Sequence, residues 1–227
     1  MKRQIITTAD GSTTIHLPEW DEQYHSKHGA VQEAYHVFIK YGLHHCCHLG
    51  LNKDSKIAIL EIGFGTGLNA LITLMEAEKL NLKVDYVGVE AYPISMDEVL
   101  KLNYPDMLDL NTDSGVFKTL HDISWEEHHD INFHFSLTKQ KKPFRDIDQK
   151  DKFNLIYFDA FGARVQPELW TQSIFKIMFE ALKANGVLVT YSAKGSVRRA
   201  MQSVGFSVEK LPGPPGKREM LRALKRV

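Results

Sequence analysis

Cysteine is nearly absent from the sequence. The two present, Cys46 and Cys47, are neighbours, and adjacent cysteines are poorly aimed at one another for a structural bridge. A disulfide-stapled framework is therefore excluded. No apolar run is long enough to span a bilayer, and the Met1–Ile6 start has neither the apolar stretch nor the cleavage site of a secretory signal. These absences point to the cytoplasm and exclude a membrane partner. Net charge is also missing, with 28 basic residues against 28 acidic ones. The chain as a whole is not drawn electrostatically toward nucleic acid. There is no internal repeat and no low-complexity tract.

What is there suits a globular chain with a core of its own. Of 227 residues, 43% are hydrophobic and 25% charged, the proportions of an ordinary soluble domain. Charge is unevenly spread. Residues 194–227 hold nine Lys or Arg against only Glu209 and Glu219, and Lys139, Lys141, Lys142 and Arg145 form a second basic stretch, read as a loop. Both could meet phosphates, and both could equally be solvated surface.

Strand and helix patterns alternate along most of the chain. Residues 4–17 read as two short strands around the Asp10-Gly11-Ser12 turn, followed by a helix over 29–50 and a polar loop over 52–56. Strands are predicted at 56–62, 84–90, 131–137, 153–159 and 186–192. Helices are predicted at 67–80, at 95–102 with Ser95 as cap, at 167–184 up to Asn185-Gly186, and at 196–204. Residues 104–130 read as a connection with some helix. The last two strands, 206–211 and 220–224, flank a Pro- and Gly-rich turn and suggest an antiparallel hairpin. Alternation of this kind implies an α/β fold, with a mostly parallel sheet between two layers of helices. The outline is that of a Rossmann-like, seven-stranded class I methyltransferase sheet. A small β/helical extension over residues 1–50 would pack on a main domain over 51–227.

Glu61-Ile62-Gly63-Phe64-Gly65-Thr66-Gly67-Leu68-Asn69 sits between a predicted strand and a predicted helix, the context in which a glycine loop binds a nucleotide-like ligand. The dinucleotide fingerprint spaces its glycines G-x-G-x-x-G. Here they fall at 63, 65 and 67, and Leu68 occupies the dinucleotide's third glycine position. Glu61, just before the loop, suits a cationic group such as the amino group of S-adenosylmethionine better than a pyrophosphate. Glu90 ends the next strand, where a carboxylate accepts hydrogen bonds from ribose hydroxyls. Asp159 ends the strand at 153–159, and ligand crevices in open α/β sheets lie beyond such strand ends. An amine accepting a methyl group gains positive charge, which a fixed carboxylate would orient and stabilise. Capping or surface roles remain open for both acids, and a nicotinamide oxidoreductase remains open beside an amine methyltransferase.

Four stretches carry a resemblance to a known family. They are Glu22-Gln23-Tyr24-His25-Ser26 with Gly29, Glu33-Ala34 and His36-Val37-Phe38; Glu61 to Asn69; Asp159-Ala160-Phe161 with Pro167-Glu168-Leu169-Trp170; and Gly213 to Leu221, including Gly216-Lys217-Arg218-Glu219-Met220-Leu221. In this order they resemble the methyltransferase domain of the bacterial MnmC family and its stand-alone form. The resemblance implies S-adenosylmethionine as cofactor and the 5-aminomethyl group of the tRNA wobble uridine as acceptor, reached through the anticodon stem-loop. It implies that Glu61, Gly63, Phe64, Gly65, Gly67, Asn69 and Glu90 hold the cofactor, that Tyr24 and Ser26 close its pocket, and that Asp159 meets the acceptor amine. The family's flavin-dependent oxidase domain is not expected in a chain ending at Val227, so an upstream enzyme would supply the aminomethyl uridine. Two stretches depart from the family pattern. Ser136-Leu137-Thr138 stands where an acidic residue often lies near adenine, and Phe161-Gly162-Ala163-Arg164 replaces a Pro-containing turn. A small-molecule amine methyltransferase is the alternative. No metal is expected: His44, His45, Cys46, Cys47 and His48 lack paired ligand spacing and read as helix packing.

Overall fold

β4 (Lys56–Ile62) explains the architecture in miniature. Only Lys56 and the half-buried Ala58 escape full burial, with Ile57 and Ile59 in one apolar cluster and Leu60 and Ile62 in another. A strand apolar on both faces must be covered on both faces. In the computed structural model, which describes residues 2–51, 56–110 and 115–226, it is the centre of an eight-stranded sheet. The order is β10-β11-β9-β8-β4-β5-β7-β6, with β5 at Lys83–Val89, β6 at His128–Asn132, β7 at Phe135–Gln140, β8 at Phe153–Phe158, β9 at Leu182–Thr190, β10 at Ser207–Pro212 and β11 at Glu219–Leu224. The inner five strands run parallel, and β10, β11 and β6 join antiparallel to their neighbours.

One face is covered by α3 (Leu68–Lys79) and by a long helix over residues 30–48. That helix begins as α1 (Ala30–Ala34), widens to π-helical turns over Tyr35–Leu43 and ends as α2 (His44–His48). The other face is covered by α7 (Gln172–Ala181) and α8 (Gly195–Ser203). Val37, Phe38, Ile39 and Leu43 enter the same cluster as Leu155, Tyr157 and Val189 of the sheet. Burial of such side chains contributes roughly 1.5–3 kcal/mol each before the entropy of ordering them, so the N-terminal helix is bound firmly. Ahead of it, β1 (Gln4–Thr7), β2 (Thr13–Leu17) and β3 (Glu22–Gln23) form a separate three-stranded sheet. Among the described residues no helix is long and apolar enough to cross a membrane.

The sheet has eight strands, one more than the sequence pattern suggested, because 131–137 is not one strand. Its alternating Phe133 and Phe135 straddle a turn between β6 and β7. The Asn132 side chain accepts from the His134 N–H at 2.8 Å, and Phe133 is 72% exposed. The predicted 167–184 helix is also divided. Residues Pro167–Trp170 form a 3-10 turn, and the chain leaves the helix at Leu182 to begin β9. The helix predicted at 95–102 is the shorter α4 (Met96–Val99), which Ser95 does cap through a reciprocal bond with Glu98, and the predicted connection holds α5 (Tyr104–Met107) and α6 (Val116–Asp122). The polar loop expected over 52–56 lies outside the described residues except for Lys56.

Candidate active site

The chain passes from β4 to β5 on one side and returns to β8 on the other, so the ends of β4 and β8 flank a topological switch point. Beyond them lies a cleft of ≈ 1490 Å³. A single small-molecule site takes about 300–1,000 Å³, so there is room for a second reactant. At the end of β4 the N–H groups of Gly63 and Phe64 both donate to the Val89 carbonyl, and the Asp159 N–H donates to Ile62 at 2.9 Å. Gly63 is required here: its φ is 89°, and a Cβ would stand 2.7 Å from the Asp159 carbonyl oxygen. Gly67 then caps α3, whose first residues, Leu68 and Asn69, border the cleft.

Most of the residues singled out in the sequence converge there. Gly63, Phe64, Gly65, Asn69, Glu90 and Asp159 line the cleft from the sheet side, with Tyr24 and Ser26 opposite. The Tyr24 ring covers Gly65 and meets Phe161 edge-on at 4.9 Å, and burial pushes its hydroxyl up to about 12. Ser26 is buried; its N–H donates to Glu33 at 2.9 Å and its hydroxyl accepts from the His28 N–H at 3.2 Å. Both Glu90 carboxylate oxygens accept backbone N–H groups, from Gly65 at 3.0 Å and Tyr92 at 2.9 Å. A carboxylate has about four acceptor positions, so two stay open for hydroxyl donors.

Two residues do not face the cleft. Gly67 lies behind the loop against His121. Glu61, expected opposite a cationic ligand group, is 1% exposed and shares its strand face with Ile57 and Ile59, because side chains alternate along a strand. Asn69 stands between it and the cleft. The Asn69 amide donates to Glu61 Oε1 and to Asp159 Oδ2, each at 2.9 Å, bridging two carboxyls. Complete burial holds the Glu61 carboxyl well above the usual range. Asp159 is pushed up to about 7, by burial first and then by the Glu33 carboxylate, with the Asn69 bond and Lys217 opposing.

The segment after Asp159 is pinned from three sides. The Tyr191 hydroxyl donates to the Ala160 carbonyl and the Trp170 indole to Phe161, both at 2.8 Å, while Arg164 donates to the Trp20 and Asp21 carbonyls at 2.9 and 2.8 Å. Glu33, Tyr191 and Lys217 complete this end of the cleft, and no role was assigned to them from sequence. Glu33 had a detectable signal: it is an acid on the apolar face formed by Ala30, Ala34 and Val37.

Other sequence expectations are corrected by burial. Lys139 is not a loop cation. It lies in β7, 1% exposed, donating to the His121 carbonyl above the Trp125 ring, and burial draws its ammonium down to about 8. Ser136-Leu137-Thr138 is mid-strand; the strand end that reaches the cleft side is Gln140, whose carbonyl accepts from the Glu90 N–H. Of the C-terminal cations, Lys210, Lys217, Arg222 and Lys225 are paired with Glu219, Glu33, Glu209 and Asp151. Lys194 and Arg145 remain on the cleft rim. In the His/Cys stretch, His44 pairs with Glu76 at 3.1 Å and Cys46 is buried in the core.

Beneath the loop, His25 Nε2 lies 2.7 Å from the Thr66 hydroxyl and His121 Nε2 lies 3.1 Å from the Thr66 carbonyl. Burial draws both imidazoles from 6.5 to about 4. The unfolded chain therefore binds more protons between pH 6.5 and 4, and stability falls as pH is lowered through that window. The slope is about 1.4 kcal/mol per pH unit for each imidazole. Melting curves at pH 7.5 and 5 should show this loss, and His25→Gln should reduce it; an equal acid loss in the variant would remove His25 from the account.

Residues 115–226 match a family model described as S-adenosyl-L-methionine-dependent methyltransferase. The match takes in Asp159, Tyr191 and Lys217. Over those residues, just under half of its length, the chain is similar to S-adenosyl-L-methionine-dependent methyltransferases. The chain is similar to the crystal structure of MNMC2 from Aquifex aeolicus, with a TM-score of 0.80 and 25% identity, over 100% of this chain and 71% of that one. Two curated relatives, each named tRNA 5-methylaminomethyl-2-thiouridine biosynthesis bifunctional protein MnmC, match most of its length. The Marinomonas sp. protein is 29% identical over 217 residues, 90% of this chain and 31% of the relative. That of Leptospira interrogans is 27% identical over 209 residues, 89% and 32%. The chain thus spans about a third of these relatives. Spermidine synthase from Thermotoga maritima, with a TM-score of 0.55 and 12% identity over 99% of this chain and 72% of that one, shares the fold alone.

Proposed function

We propose that this chain is an S-adenosylmethionine-dependent methyltransferase that N-methylates the 5-aminomethyl group of the tRNA wobble uridine, acting on the anticodon stem-loop after an upstream enzyme has installed the aminomethyl group. The relatives' names support the substrate class. The observation that carries the chemistry is Asp159: a carboxyl pushed up to about 7 shares one cleft with the glycine loop.

The residues fit the methyl donor. Gly63 and Gly65 leave backbone open to the cleft where side chains would fill the space, Glu90 keeps acceptor positions for ribose hydroxyls, and Tyr24 covers the loop. When bound, S-adenosylmethionine supplies a methyl group activated on its sulfonium. The chain's own residues do the rest. Asn69 holds Asp159 by a hydrogen bond, and Asp159 orients the acceptor N–H groups and takes the proton the nitrogen must lose. A base balanced near neutrality suits an amine, and much of the rate comes from alignment. Glu61 acts through Asn69, and Ser26 acts through Glu33. Lys194 and Arg145 suit phosphates of the stem, and residues 1–50 serve as an extension packed on the domain of residues 51–227.

Purified protein with S-adenosylmethionine should methylate tRNA from a strain arrested at the aminomethyl stage, giving a methylaminomethyl nucleoside by mass spectrometry. Methylation of free amines but not of this tRNA would instead assign a small-molecule substrate.

A further inference from the structure

Asp159 is surrounded by groups brought from the central strands and from both ends of the chain. Facing it are Glu33 from α1, Glu61 from β4, Tyr86 from β5, Tyr191 after β9, and Lys217 from the turn between β10 and β11. Glu61 and Tyr86 are buried in the sheet's own core, and Tyr191 stands half-buried at the cleft wall. Glu33 and Lys217, 184 residues apart, form an ion pair with each other, and the Lys217 ammonium lies 3.9 Å from the centre of the Tyr191 ring. Glu33 is held further by the Ser26 N–H at 2.9 Å.

The pair is one of several contacts that fasten the C-terminal hairpin onto the N-terminal segment, among them the Arg222 guanidinium donating to the Tyr41 carbonyl at 3.3 Å. The turn lies so close to His28 that a Cβ on Gly216 would come within 2.1 Å of the ring. On the other side, His36 Nε2 lies 2.8 Å from the Pro212 carbonyl. Lys217 therefore stands where it does because both ends of the chain hold the turn in place.

We propose that the Glu33–Lys217 ion pair is a positioning device for Asp159: it sets the charge around that carboxyl, and so the pH range over which Asp159 can take a proton. The proposal rests on Asp159 being the acceptor-side carboxylate. Its electrostatics have two opposite arms. Glu33 alone is a negative neighbour that holds a proton on Asp159, and Lys217 is the counter-charge that lets the proton leave. Removing one arm must move Asp159 in the opposite direction from removing the other. A purely structural clasp has no such sign.

The test is a 13C NMR titration of the full chain labelled at aspartate and glutamate carboxyls. The Asp159 signal is identified by its loss in Asp159→Asn. In Glu33→Gln the Asp159 midpoint should fall by about one pH unit. In Lys217→Met two carboxyls are left without their counter-cation, so they should titrate in two coupled steps, the upper one above the wild-type midpoint. Lys217→Arg should titrate like wild type. Should Lys217→Met fold poorly, the double variant Glu33→Gln/Lys217→Met strands no buried charge and should titrate between Glu33→Gln and wild type. Midpoints unmoved in Glu33→Gln and Lys217→Met, or moved in the same direction, would overturn the proposal. The titration needs no substrate. A catalytically silent Asp159→Asn therefore sinks the role given to Asp159, whereas unmoved midpoints with an inactive Asp159→Asn sink only the ion-pair control.

Discussion

Asp159→Asn is expected to lower kcat on aminomethyl tRNA by about 10²–10⁴-fold, the range for loss of a positioned proton acceptor, with S-adenosylmethionine affinity by calorimetry close to wild type. The amide keeps the size of the carboxyl and can still meet Asn69, so a folding defect is not the expected cause. The wild-type rate should carry its own signature. Asp159 must be ionised to accept a proton, and its carboxyl is pushed up to about 7. The rate should therefore rise with pH through that value and drop about tenfold per pH unit well below it. That acid limb should vanish in the asparagine variant. A variant with wild-type turnover, or with the same acid limb, would remove Asp159 from the chemistry.

Gly63→Ala should be the most damaging single methyl group in the loop. It adds a Cβ 2.7 Å from a backbone oxygen of β8's continuation, at φ 89°, and neither backbone is free to retreat, because Gly63 and Asp159 are each hydrogen-bonded into the sheet. The strain alone amounts to about 1–3 kcal/mol, worth roughly 2–4 °C in melting temperature for each kcal/mol in a chain of this size. The push falls on Asp159 itself, so S-adenosylmethionine binding and turnover should both collapse. Gly50→Ala is the control: its φ is 68°, and its added Cβ meets nothing within 4 Å. It carries the backbone cost without the collision. Equal effects at the two sites would mean that the close approach at Gly63 has no consequence of its own.

The parallel heart of the fold was legible because its residues obey a local rule: strands buried on both faces are apolar throughout, and β4 and β8 were readable from end to end. Legibility failed where an apolar side chain is exposed, as with Phe133 at the β6–β7 turn, whose aromatic period imitates a continuous strand. It failed again at β9, where Lys183, Ala184 and Asn185 leave helix α7 and join an irregular strand without any proline to announce it. In the site, the glycine loop, Glu90 and Asp159 were legible because strand ends at a switch point converge. Strand parity turned Glu61 inward, and nothing local predicts that Asn69 would bridge it to Asp159. Glu33 and Lys217 meet only through the tertiary fold, so no spacing in the sequence reveals their pairing.

The sheet order has a temporal consequence. β11 lies between β9 and β10, although it is the last of the three to leave the ribosome. β10 therefore has no strand to pair with until β11 exists, and the hairpin must dock as a unit. Its tip delivers Lys217 to Glu33. During synthesis the centre of the sheet and the glycine loop can form first, while the carboxyl-rich end of the cleft is still without its cation. If Asp159 acts as proposed, its cleft acquires the Lys217 cation only when β11 has been slotted in beside β9, and a protease that trims β11 would take that cation away while leaving the glycine loop intact.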